Sequence, residues 1–147
     1  MTRKTPRSAA RRFFYALMFL LPLCVQAETY LHTGAWSKHI GGGDYNETHK
    51  LLAVEHEQIM AGYFENSHGD DSFLAAYRWR VARYQDVRVS VLAGGVYGYS
   101  HCTKGDDGGS KKLCPLIAPA VTYTAFSVQP SLSLMGNAVV FSIAWEL

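Results

Sequence analysis

Phe73-Leu74-Ala75-Ala76-Tyr77-Arg78-Trp79-Arg80-Val81-Ala82 is the stretch on which the fold turns. Read at a period of two it splits into Phe73, Ala75, Tyr77, Trp79 and Val81 on one face. Leu74, Ala76, Arg78, Arg80 and Ala82 take the other. That rhythm belongs to a strand whose two faces meet different surroundings. The closing stretch repeats it, with Val139, Phe141, Ile143, Trp145 and Leu147 set against Val140, Ser142, Ala144 and Glu146. So does the segment that follows the first, where Val87, Val89, Val91, Ala93, Gly95, Tyr97 and Tyr99 oppose Arg88, Ser90, Leu92, Gly94, Val96 and Gly98. Working outward, short apolar or alternating segments recur between Gly, Asp, Asn and Ser, and no useful helical stripe interrupts them. They predict eight strands, near 29–38, 49–57, 58–66, 72–83, 86–100, 115–124, 126–134 and 138–147.

A soluble sandwich also alternates, so further features decide between sandwich and barrel. Several segments reach about ten residues, enough for a tilted strand to cross a bilayer. The last strand runs to the end of the sequence on an aromatic–apolar face. Tyr63, Phe64, Tyr97, Tyr99 and Trp145 sit toward strand ends, where interfacial girdles form. The expected fold is all-β, an eight-stranded antiparallel transmembrane β-barrel preceded by a cleaved signal peptide. Arg78, Arg80, Ser142 and Glu146 would face its interior together with Leu74, Leu92 and Val96. Side chains nearly fill a barrel of eight strands, which excludes a wide aqueous pore.

Residues 1–27 read as that signal peptide and 28–147 as the barrel domain. Arg3, Lys4, Arg7, Arg11 and Arg12 form a basic head, Phe13 to Val25 an apolar run, and Val25-Gln26-Ala27 a small-residue cleavage pattern. Five of the fourteen basic residues leave with it. The remaining nine stand against twelve acidic ones, a net charge of −3. The basic balance of the full chain thus belongs to the signal, and nothing suggests a nucleic-acid partner. Cys24 leaves as well. Cys102 and Cys114 remain as an even pair flanking a polar, glycine-rich loop, and an oxidising compartment favours a disulfide between them.

The polar residues concentrate before residue 72. His32, His39, His49, His56 and His68 lack the close spacing of a metal-ligand set, so no metal and no cofactor is expected. His39 with Gly41-Gly42-Gly43 reads as loop. His32 near one end of the first strand and Asn66-Ser67 at the end of the third form a sharper candidate. On a shared rim, a histidine could take the proton of the Ser67 hydroxyl, the minimum for acyl transfer. Asn66-Ser67-His68-Gly69-Asp70-Asp71 is equally a good turn.

In motif order the chain resembles the lipid A palmitoyltransferase (PagP) family of eight-stranded outer-membrane enzymes. The likeness covers most of residues 30–147. It rests on His32 followed by Tyr45-Asn46-Glu47, on Gly62-Tyr63-Phe64-Glu65-Asn66-Ser67, and on Ala75-Ala76-Tyr77-Arg78-Trp79. Ala93-Gly94-Gly95-Val96 resembles the small-residue strand that shapes the family's acyl pocket. Pro115 to Pro119 resembles its proline-bearing strand, where lipid enters sideways, and Gly136-Asn137 resembles its ending. The resemblance implies transfer of a fatty acyl chain from a phospholipid to lipid A or a related acceptor, by a monomer in the outer membrane. His32 would be the general base and Ser67 the serine of the site, with Asn66 beside it and Gly94, Gly95 and Val96 at the acyl pocket. Two departures stand out. Asn66 occupies the family's Asp position, and an amide cannot stabilise an imidazolium as a carboxylate does. Glu28 to Leu31 leave no room for the family's N-terminal amphipathic helix. A non-catalytic barrel whose loops bind a partner or protect the envelope, and a periplasmic lipid carrier, remain the alternatives.

Overall fold

The computed structural model describes residues 28–102 and 109–147. The signal peptide expected at 1–27 and the middle of the loop between the cysteines lie outside the described residues. Among the described residues eight strands are present: β1 (Thr29–His39), β2 (Thr48–His56), β3 (Ile59–Glu65), β4 (Asp71–Tyr84), β5 (Val87–Tyr99), β6 (Lys112–Tyr123), β7 (Val128–Met135) and β8 (Ala138–Glu146). Each pairs antiparallel with the next and β8 closes onto β1, so the sheet is a barrel. Closure pairs every strand on both sides, the condition for β-structure to sit in hydrocarbon, though β6 and β7 meet over three residue pairs alone.

The two rims differ. Glu57-Gln58, Gln85-Asp86 and residues 124–127 make tight turns at the rim that also holds the chain ends. Residues 40–47 and 66–70 form longer loops at the opposite rim, where 100–102 and 109–111 also lie, beside the short turn Gly136-Asn137. Between the rims the outward positions are apolar, with Leu52, Val54, Ile117, Val121 and Leu132 exposed. Trp36, Phe73, Tyr97 and Phe141 lie toward the loop rim; Tyr84, Tyr123, Phe126 and Trp145 lie toward the turn rim. A hydrophobic band between two aromatic girdles is the outer surface of a transmembrane barrel.

The strict alternation read from the sequence holds within stretches and breaks at three points. The pairing shifts between Thr33 and Ala35, between Arg80 and Ala82, and between Tyr97 and Tyr99. Each irregularity reverses which parity faces inward beyond it. Gly34 and Gly98 carry φ of +63° and +130°. A side chain at Gly34 would also strike the Trp36 ring, and one at Gly98 would strike Ser72 and the Asp71 carbonyl. Beyond these points Ala35, Ser37, His39 and Tyr99 turn inward. Tyr99, expected in the girdle, packs instead against the core, as does Phe64, which shares the inward parity of Met60 and Gly62. Arg83 takes the inward place expected for Ala82.

Inside, the barrel is layered. Toward the turn rim Glu55, 1% exposed, accepts from Arg78 Nε at 2.8 Å and from His32 Nε2 at 3.1 Å, while Arg78 Nη1 reaches Ser90 Oγ at 3.3 Å. An apolar layer with Met60, Leu74, Leu92, Val96 and Leu116 lies beside and above it. Toward the loops the interior opens into a cavity of about 900 Å³.

Candidate active site

The loop-side cavity is walled by apolar side chains such as Leu51, Phe64, Met135 and Val140, with His32 and Arg78 at its floor. Its mouth is built from three loops. The β3–β4 loop is organised by Asn66, which is fully buried. Its Oδ1 accepts from the backbone N–H of His68 at 2.8 Å and of Asp70 at 3.1 Å. Its Nδ2 donates to Ser72 Oγ at 3.0 Å and to the Gly98 carbonyl at 3.3 Å. An Asx turn of this kind fixes the backbone on which the next residue, Ser67, is presented.

Ser67 meets a histidine, and that histidine is His39. Ser67 Oγ lies 3.1 Å from His39 Nε2, and His39 Nδ1 lies 3.1 Å from Asn137 Oδ1. An amide oxygen only accepts, so Nδ1 carries a proton and, in the neutral ring, Nε2 is left free to accept from the Ser67 hydroxyl. Asn137 is held in turn by the β7–β8 turn, where its carbonyl accepts from Ile40 N at 2.8 Å. Tyr45 stacks on the imidazole with ring centroids 4.0 Å apart. Asn46 N donates to the Ser67 carbonyl at 2.8 Å, and its Nδ2 donates to Glu65 Oε1 at 3.0 Å. Glu47 pairs with Lys38 at 2.6 Å. The stretch Tyr45-Asn46-Glu47 therefore clamps the His39–Ser67 pair from outside. On the cavity side the Tyr99 ring meets the His68 ring edge-on at 6.2 Å.

A line of serine hydroxyl, imidazole and orienting amide is the arrangement that activates a nucleophile: the base takes the hydroxyl proton and the third group fixes tautomer and angle. An orienting asparagine does this without adding charge.

The structure does not bring His32 to Ser67. His32 pairs with Ala53 and Ala144 toward the turn rim, seven positions before His39, roughly 20 Å along a strand rising about 3.3 Å per residue. Its ring is engaged by Glu55. Both residues line the same cavity, one at its floor and one at its mouth. Asn66 shapes the loop and does not touch the imidazole. Gly94, Gly95 and Val96 lie outside the cavity lining. Alternation turns Gly95 outward against Leu113, Val96 is packed in the core, and a side chain at Gly94 would collide with Ala76 across the strand pair. Cys102 and Cys114 are joined, with Cα atoms 5.1 Å apart, at the loop rim. Among the described residues no group of three or more His, Cys, Asp or Glu is arranged to hold a metal.

No family model matches this sequence, and no curated protein matches it. Solved structures do match. Among them is the solution NMR structure of the de novo designed TMB2.3, at 12% identity and a TM-score of 0.54, covering 82% of this chain and 94% of that one. At that identity the likeness shows the fold alone.

His39 and Asn137 escaped the sequence reading for a physical reason. Counted by strict alternation from His32, His39 falls on the outer face; the irregularity at Gly34 moves it inside. The glycine within an otherwise regular strand was the available signal. Asn137 is brought to His39 only by closure of β8 onto β1, which pairs His39 with Ala138.

Proposed function

We propose that this protein is an outer-membrane acyltransferase with Ser67 as nucleophile, His39 as general base and Asn137 as the group that orients the base. The single observation carrying the reading is the line Ser67 Oγ–His39–Asn137, two contacts of 3.1 Å, at the mouth of a cavity whose lining mixes apolar and polar side chains. His39 Nε2 takes the Ser67 proton as Oγ attacks the carbonyl carbon of a phospholipid acyl ester. The donor's C–O bond breaks, the proton passes to the leaving oxygen, and the acyl group rests on Ser67. A hydroxyl of lipid A or a related acceptor then gives its proton to His39 and takes the acyl group, restoring Ser67.

The wall of the barrel supports a sideways route for the lipid. β6 and β7 pair only at Ala120–Ser133, Val121–Leu132 and Thr122–Ser131. Toward the loop rim β6 runs on from Pro119 back to Leu113 without pairing to β7, and Pro115 and Pro119 in that stretch have no N–H to offer. Ala120, Ser133 and Met135 border the seam and line the cavity, and Asn137 follows two residues after Met135. The short turns at one rim and longer loops at the other match barrels of the bacterial outer membrane, with the loops outside. On that orientation Ser67 faces the outer leaflet.

Mass spectrometry of lipid A and phospholipids from cells expressing the protein tests this. The expected result is an added acyl group that disappears in Ser67→Ala and His39→Ala and persists in His32→Gln. Unchanged lipid A with the barrel correctly inserted would favour a non-catalytic barrel.

A further inference from the structure

A second cavity of about 500 Å³ lies at the opposite mouth, among the tight turns, beyond the Glu55–Arg78 layer. We propose that it is a binding site for a phosphate group, held between Arg83 and Arg88.

β4 carries an irregularity at Val81. It reverses the parity of β4 so that Arg83, not Ala82, faces inward, directly across the strand pair from Arg88. Like charges placed directly opposite destabilise a sheet, and unbroken alternation would have avoided the pairing. The surrounding carboxylates do not relieve it. Glu28 is taken by Arg80 at 2.5 Å and by the Tyr30 hydroxyl at 3.1 Å, and Glu146 accepts from the Gln129 amide at 3.3 Å. Arg83 Nε donates to the Gln85 carbonyl at 3.2 Å. Arg88 lies over the Tyr30 ring, 5.4 Å from its centroid, and donates to Gln129 Oε1 at 3.1 Å. Among the described residues neither has a carboxylate partner, and Arg88 Nε is buried with no acceptor.

A buried donor left unmade is costly, and like charges on directly paired residues repel. One tetrahedral anion between the two side chains answers the second condition. Its oxygens accept from the planar guanidinium forks in pairs, and its charge turns the repulsion into attraction. Tyr84, Tyr123, Phe126 and Trp145 ring this rim, so the cavity opens at the level of lipid headgroups. A headgroup phosphate and free inorganic phosphate present the same chemistry there.

The test uses the protein extracted from membranes into dodecyl maltoside, a detergent without phosphate. Inorganic phosphate, and separately dihexanoyl phosphatidic acid, are titrated and followed by phosphorus NMR. Saturable binding of at least one probe is expected, weakened by added sodium chloride and about tenfold weaker in Arg83→Gln, which removes charge-assisted hydrogen bonds. Arg83 is exposed, so this variant keeps its fold, checked by its strand circular dichroism. Binding of both probes assigns the site to phosphate itself; binding of the lipid alone assigns it to a headgroup. Absence of saturable binding by either, or equal binding by Arg83→Gln, overturns the proposal.

Discussion

At the residue scale, Asn66 shows how a motif position can keep its place and change its work. In the resemblance it stands where a carboxylate is expected beside the serine. In the structure its side chain makes four hydrogen bonds, donating to Ser72 Oγ and to the Gly98 carbonyl, and the carbonyl can be served only by an N–H group. A carboxylate can accept from His68 and Asp70 but can donate neither of the others, and it would bring a charge to a fully buried point. Asn66→Asp is therefore expected to destabilise the barrel by about 1–3 kcal/mol, the cost of buried groups left unpaired, and to lower activity by loosening Ser67. Urea titration in detergent micelles, followed by tryptophan fluorescence, measures the first effect. A variant as stable as the parent would remove Asn66 from its structural role. That the serine is presented at the end of β3 was legible from Asn66-Ser67 as a turn. Which imidazole it meets was not, because that depends on closure and on the register of β1.

The strands were legible because each alternates over most of its length; predicted ends differ from observed ones by up to three residues, most at the start of β6. Their irregularities were not. A bulge inserts one residue without changing composition, yet it exchanges the two faces from there on. His39, Arg83 and Tyr99 all lie beyond such points, and the chemistry discussed above depends on all three. Only glycine marks two of the sites, and Val81 marks the third with no turn residue at all. The tight turns show the opposite mismatch. Glu57 and Gln58 link β2 and β3 with φ of 49° and 81°, a left-handed pair that glycine and asparagine adopt at lower cost. Replacing them by Glu57→Asn together with Gln58→Gly should stabilise the barrel by about 1 kcal/mol. The urea midpoint should rise with an unchanged slope. A lowered midpoint would show that the side chains at this turn contribute more than its backbone costs.

For the whole molecule, a closed sheet divides the interior into two ends with different chemistry. The Glu55–Arg78–His32 layer fills the middle with paired charge, both partners meeting Glu55 Oε2 while Oε1 is buried without a partner, so it blocks a pore while leaving a cavity on each side. The loop-side end holds the Ser67–His39–Asn137 line beside the incompletely paired β6–β7 seam; the turn-side end holds opposed arginines. This division follows from long-range pairing that no local window of sequence contains. Its most direct test is covalent labelling by an alkyl fluorophosphonate, which reacts with serines activated by a base. With the protein in micelles, the account predicts a single adduct on Ser67, identified by peptide mass spectrometry. The adduct should be lost in His39→Ala, reduced in Asn137→Ala and retained in His32→Gln. An unlabelled Ser67 in the folded barrel, or labelling that survives His39→Ala, would contradict it.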